Sequence, residues 1–323
     1  MGKPFLTIQQ QIELLGSRGV KTDDASGSIL LREGYYSVVN GYKDPFIDRE
    51  ATAAAGDDRY KEGITLTAIY DLFSFDRKLR GLTFHYLIKA EAAVRTAISY
   101  CFSDVHREED AYLFQANYCS KEEFAASGND SNRYASEITG LIGIVSSRAN
   151  RSRASFITRY RESYGAVPLW VLTNDLTFGN LEHFFNSMKP AEQRDFCKTI
   201  VRSTGRLGDG KLGYFDVQRA RVSLEVLVKF RNICAYDERL YCARVGRRKA
   251  VNYAKMVWML ERYLTKSEFL DFLTDFVSMI ESSLAKDRAF AHVLIQAGFP
   301  EIASEIKHRL NEQKGCGAGD ADK

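Results

Sequence analysis

Along most of the chain, apolar side chains recur every third or fourth residue rather than every second, which is the period of helices and not of strands. Only five prolines interrupt this pattern, so an all-α protein is expected. Thr7 and Gln10 have the spacing of a capping box at the head of TIQQQIELL, and the Gly16 to Gly19 region closes that first helix. EGYYSVVNGYKDPF is β-branched, aromatic and punctuated by glycine, and reads as an irregular or partly helical packing segment. From Leu66 to about Phe102, the positions Ile69, Leu72, Phe73, Leu79, Leu82, Tyr86, Leu87, Ala90, Val94 and Ile98 predict one long helix, or two in line, with Gly81 as the one breaker.

The polar loop ASGNDSN then precedes a second long helix that carries Arg148, Arg151, Arg153, Arg159 and Arg161. Pro168 opens PLWVLTNDLTFGNLEHFF, where Gly179 is expected to separate short helices. Residues 217–235 predict another helix, and three or four more come between about Val251 and Leu310. The chain shows no internal repeat and no linker. Residues 1–314 therefore read as a single helical unit, either one large domain or two closely packed lobes with no boundary that can be drawn, and GCGAGDADK (315–323) reads as a flexible tail.

Composition narrows the classes. At 323 residues and 45% hydrophobic, the chain can bury a large core. No apolar run approaches the roughly 18 residues of a membrane span, and MGKPFLTIQQQ has no signal-peptide pattern, so a cytoplasmic protein is expected. Cys101, Cys119, Cys197, Cys234, Cys242 and Cys316 include no CxxC pair, which favours buried free thiols over a zinc site or a disulfide framework. No cofactor motif is present, and neither a metal nor a cofactor is expected. Trp170 and Trp258 are expected as core anchors and His183, in LEHFF, as a packing residue. The net charge of +3 is too small to imply a nucleic-acid partner, which leaves the argument to two basic clusters. One is the arginine group from Arg148 to Arg161; the other is Arg244, Arg247, Arg248 and Lys249. Taken alone, each such cluster is more often a solvated face than a binding site.

The candidate chemistry lies in RNICAYDERLY, residues 231–241, at the end of the helix over 217–235. A helix ending in Arg-Asn-x-x-x-His marks the HEPN superfamily of ribonucleases, and this segment resembles it except that Tyr236 stands at the histidine position. The spacing of Arg and His by itself is weak, because Arg80 and His85 satisfy it too. Five residues turn about 140° around a helix, so those two side chains diverge. The order of blocks carries more weight. KPFLTIQQQIELLGSRG, GYYSVVNGYKDPF, IYDLFSFDRKLR, IKAEAAVR, PLWVLTNDLTFGNLEHF and RNICAYDERLY resemble the successive blocks of the abortive-infection Abi family, of the AbiD and AbiF type.

That resemblance implies a HEPN-type helical bundle with additional family-specific helices. It also implies a homodimer and a toxin-type endoribonuclease that acts in phage defence and cuts RNA by attack of its own 2′-hydroxyl, with no metal. Histidine titrates near neutral pH and serves as base or acid, while arginine is a permanent cation able to grip two phosphate oxygens. In the family pattern Arg231 holds the phosphate, position 236 moves the proton and Asn232 braces the site. Glu91 and Arg95 are its candidate supports, although a helix salt bridge at i, i+4 accounts for that pair equally well. Phenols titrate near 10 and imidazoles near 6.5, so a tyrosine here removes the proton carrier. Losing one general acid/base costs on the order of a hundred- to ten-thousand-fold in rate. The expectation is an inactive nuclease that keeps its phosphate grip. Its flanks Asp237, Arg239, Leu240 and Tyr241 stay intact, which favours a recent or introduced change. The alternative is a non-catalytic protein that holds a structured, antitoxin-like RNA.

Overall fold

The computed structural model describes residues 4–246 and 250–317, with side chains to residue 311. Among the described residues the regular structure is helical apart from a two-residue antiparallel ribbon, Arg244–Val245 against Val251–Asn252, and two isolated bridges. The fold is all-α. No described helix is long and apolar enough to cross a membrane. The chain divides into two compact units that share no simple boundary: one takes residues 1–82, 237–243 and 271–323, the other 83–236 and 244–270.

In the first unit the helix Ile8–Ser17 starts on the expected capping box. The Thr7 hydroxyl accepts the Gln10 amide at 3.3 Å, and the Gln10 side chain accepts the Thr7 amide at 2.9 Å. EGYYSVVNGYKDPF is partly helical, as expected: a π-turn at Tyr36–Asn40 and a 3-10 turn at Asp44–Phe46. The core of this unit packs Phe75 edge-on to Phe299, with ring centres 5.2 Å apart, and beside Phe290 at 6.0 Å. The last helix, Phe299–Gly317, continues past residue 314, where the sequence pattern placed the start of the tail; residues 318–323 lie outside the described residues.

The long helix is continuous from Leu66 to Val105. Gly81, exposed on it, does not break it. A lone glycine costs a helix only about 1 kcal/mol. The remainder of that helix lies in the second unit, where Phe102 packs edge-on to Phe184 at 5.1 Å and beside Tyr118 at 5.6 Å. The helix Val217–Ala235 buries Leu224, Leu227 and Phe230 completely. Ser223 on it meets the Tyr263 hydroxyl at 2.7 Å.

Several local expectations need correction. The arginine cluster does not ride on one helix: Tyr134–Arg151 stops, and Ser155–Tyr164 begins after three residues. Ser152 is extended there and its hydroxyl accepts the Ala154 amide, a side-chain bond that competes with helix continuation. Gly179 lies inside the helix Phe178–Ser187, and the break falls before it, where Thr177 caps the helix with Asn180. Trp170 is 58% exposed and anchors no core, whereas Trp258 is half-buried against Phe269. Cys101, Cys119 and Cys197 are buried free thiols, but Cys234 is half-buried and Cys242 exposed; the side chain of Cys316 lies outside the described residues.

Candidate active site

Asp216 starts the motif helix by accepting the Arg219 amide at 2.8 Å. From there the apolar period places Arg231 directly after the buried Phe230, at the edge of the core-facing stripe. On the long helix Glu91 falls among Leu87, Ala90 and Val94, all fully buried, so its carboxylate is carried inward. A buried carboxylate must be paired. Glu91 is paired twice: Oε1 accepts from Arg95 Nη2 at 3.1 Å and Oε2 from Arg231 Nε at 3.3 Å. The i, i+4 salt bridge between Glu91 and Arg95 thus extends to Arg231 through the second oxygen of the same carboxylate.

The consequence is electrostatic. One carboxylate shared by two guanidinium groups leaves an excess positive charge at a partly buried site, where charges are screened less than in water. Arg231 uses Nε on Glu91, its Nη1 lies 3.5 Å from the Asn232 side-chain oxygen, and its guanidinium carbon sits 5.9 Å from the centre of the Phe84 ring. Nη2 has no protein acceptor among the described residues. The guanidinium is thus held through Nε and, more loosely, through Nη1, which leaves Nη2 as the donor turned to no described protein group.

Tyr236 ends the helix. Its backbone N–H still bonds to Asn232 O at 2.9 Å, while its side chain is 71% exposed. Asp237 then takes the left-handed conformation, φ 58°, which turns the chain off the helix axis and which Asp tolerates better than most residues.

Beyond Tyr236, the chain from Asp237 to Tyr241 is held within the first unit by a buried network that pattern reading missed. Asp76, fully buried, accepts the backbone amides of Leu240 at 3.0 Å and Tyr241 at 2.7 Å, the Tyr42 hydroxyl at 2.8 Å and Arg80 Nη1 at 2.7 Å. Arg80 also pairs with Asp237 and donates to Glu238 O at 3.2 Å, and Arg239 donates to Gly41 O at 3.0 Å. Burial pushes the Asp76 carboxyl up from its ordinary range, while Tyr42, Arg80 and the two amides pull it back. Arg80 is thus a structural residue. His85, its partner in the chance motif, is exposed. Tyr42, Asp76, Arg80 and Arg239 thus join GYYSVVNGYKDPF, IYDLFSFDRKLR and DERLY in space.

The basic clusters are unequal. Arg151, Arg153 and Arg159 are exposed and make no ion pair among the described residues, and Arg148 lies 3.6 Å from Asp175. Arg161 is half-buried and donates to Ala149 O at 3.0 Å, bracing the helix break. Arg244 is exposed on the ribbon, whereas Arg247, Arg248 and Lys249 lie outside the described residues. No hydrogen bond or ion pair among the described residues connects either cluster to Arg231. His183 is half-buried, with Nε2 3.0 Å from Glu137, and burial lowers its basicity.

No curated protein and no solved structure matches the chain. The profile of the family described as Abi-like protein matches residues 28–242, a span that holds the partly helical segment, the long helix, the Asp76 network, Glu91, Arg95 and the whole of RNICAYDERLY. With more than half of its length matched, the chain belongs to the Abi-like protein family.

Proposed function

We propose that this chain is an abortive-infection protein built on a HEPN-type ribonuclease site, and that it binds RNA at Arg231 without cutting it. The observation that carries this reading is the Arg231–Glu91–Arg95 arrangement, a cation oriented for phosphate at the end of the motif helix, followed by an exposed phenol where the family pattern has imidazole. In a competent site a base takes the proton of the ribose 2′-hydroxyl. That oxygen attacks the adjacent phosphorus, the bond to the 5′-oxygen breaks, and the leaving oxygen takes up a proton. Arg231 offsets the charge gathering on the phosphoryl oxygens, and position 236 supplies the proton transfer. Tyr236 can donate a hydrogen bond to phosphate or stack on a base, so binding survives the loss of cleavage.

The test is Tyr236→His. The variant is expected to cut RNA to 2′,3′-cyclic phosphate ends and to arrest growth, and adding Arg231→Ala is expected to abolish both. A histidine variant that neither cuts RNA nor harms the cell, even when freed of any bound RNA, leaves the second reading: a cleft that serves only to hold a structured RNA. The exposed phenol favours that reading for the chain as it stands.

A further inference from the structure

In the second unit a hollow of about 660 Å³ opens between the helix Pro190–Ser203 and the loop that leads into the motif helix. Its helix wall presents Arg194, Lys198 and Arg202, four residues apart, and so one exposed stripe. Lys198 is paired with Asp195 at 2.8 Å; Arg194 and Arg202 make no ion pair among the described residues. The opposite wall carries Tyr214, 65% exposed, and Leu207, 73% exposed.

This wall is built rather than loose. Arg206, 3% exposed, reaches Asp209 at 3.0 Å inside the loop, and Arg262 donates to the backbone carbonyls of Tyr214 at 3.1 Å and Lys211 at 3.4 Å. Phe215, next to Tyr214, is buried edge-on against Tyr263. An exposed aromatic ring on pinned backbone and a row of cations lining one hollow are the combination that takes single-stranded nucleic acid: the ring stacks on a base and the cations track the phosphates.

We infer that this groove is a second RNA contact, in which Tyr214 stacks on an unpaired base while Arg194, Lys198 and Arg202 hold the flanking phosphates. The inference rests on the proposed RNA partner and extends it to a named surface. Val217 and Gln218 line the groove at the first turn of the motif helix, and Arg231 lies near its other end. Fourteen residues of helix span about 20 Å, so one strand of several nucleotides can reach both. Cys197 at the floor is inert, since burial pushes its thiol up to about 12.

The experiment is fluorescence anisotropy of the full chain with a labelled unstructured RNA of about twenty nucleotides, longer than the roughly 4–16 nucleotides that a single-strand groove covers. Tyr214→Ala is expected to weaken binding about tenfold and Tyr214→Phe to leave it unchanged, because stacking needs the ring and not the hydroxyl. Arg194→Glu with Arg202→Glu is expected to weaken binding more and to flatten the salt dependence. Circular dichroism should show all these surface variants folded. A duplex of the same length offers no unpaired base and should be indifferent to Tyr214→Ala. If the unaltered chain binds RNA and the groove variants bind equally well, the groove is not a contact and the RNA reading stands. If the unaltered chain binds no RNA, both fall.

Discussion

Arg231 donates through Nε to Glu91, a residue 140 positions earlier in the chain, and Glu91 accepts from Arg95 on its other oxygen. The motif arginine is therefore oriented by a carboxylate from another helix, and that carboxylate is itself oriented by its neighbour one turn on.

Removing the charge of Glu91 while keeping its shape should free the guanidinium to turn. In the Tyr236→His background, Glu91→Gln is expected to lower the rate of RNA cleavage about tenfold, since misplacing a positioning group by an ångström costs up to about a hundredfold. Single-turnover cleavage assays would measure it. An unchanged rate would show that Arg231 finds its geometry without Glu91.

Asp76 has a different task. Asp76→Ala strips the charge partner from Arg80, whose side chain is 4% exposed, and leaves the amides of Leu240 and Tyr241 without their acceptor. Breaking a buried pair from one side costs about 3–5 kcal/mol. The partly exposed Asp237 still faces Arg80, so the expected loss is near the lower figure, read from denaturant unfolding. A loss below about 1 kcal/mol, the range of an exposed ion pair, would mean that the network closes over the gap.

What the sequence pattern could show depended on how local each feature is. The Thr7–Gln10 cap and the motif helix are set within a turn or two, and hydrophobic period and capping residues report them directly, whereas the period left open whether the long helix runs through Gly81 or breaks there. The Glu91–Arg231 contact was accessible only through the family resemblance. The Asp76 network was not accessible at all, because Tyr42 and Leu240 lie 34 and 164 positions from Asp76 and nothing in their spacing says that they meet. The stop at Ser152 failed to register because serine and arginine are tolerated in helices, and the decisive bond is one hydroxyl to one amide. Trp170 misled through size: a large ring usually seeks the core, and this one faces solvent.

The arginine cluster can now be divided. Arg151, Arg153 and Arg159 are exposed and unpaired among the described residues, so replacing the three with glutamate should weaken RNA binding, flatten its salt dependence and leave stability within about 0.5 kcal/mol. Arg161 braces the junction between two helices by donating to Ala149 O. Arg161→Ala should instead lower thermal stability and leave the salt slope nearly unchanged. Filter binding over a salt series and differential scanning fluorimetry separate the two effects. The opposite assignment would return the cluster to a solvated surface.

The homodimer that the family resemblance implies makes a sharper prediction, because a single motif offers one phosphate-gripping cation and one proton carrier, which is little for an in-line displacement. If two facing motifs build one cleft, the arginine and the proton carrier can come from different chains. A chain with Arg231→Ala and Tyr236→His has the carrier without the grip. The unaltered chain has the grip, through Arg231 on Glu91, without the carrier. Each alone should be inert. Mixed and allowed to exchange subunits, they should cut RNA, at a rate below that of the Tyr236→His homodimer because only the heterodimers hold both groups. Sedimentation should show a dimer at micromolar protein in each preparation, and dilution below the dimer's dissociation constant should abolish the cleavage. A mixture that exchanges subunits and still leaves RNA intact would show that grip and proton carrier must sit on one chain. A monomer with no bound RNA would remove the shared cleft altogether.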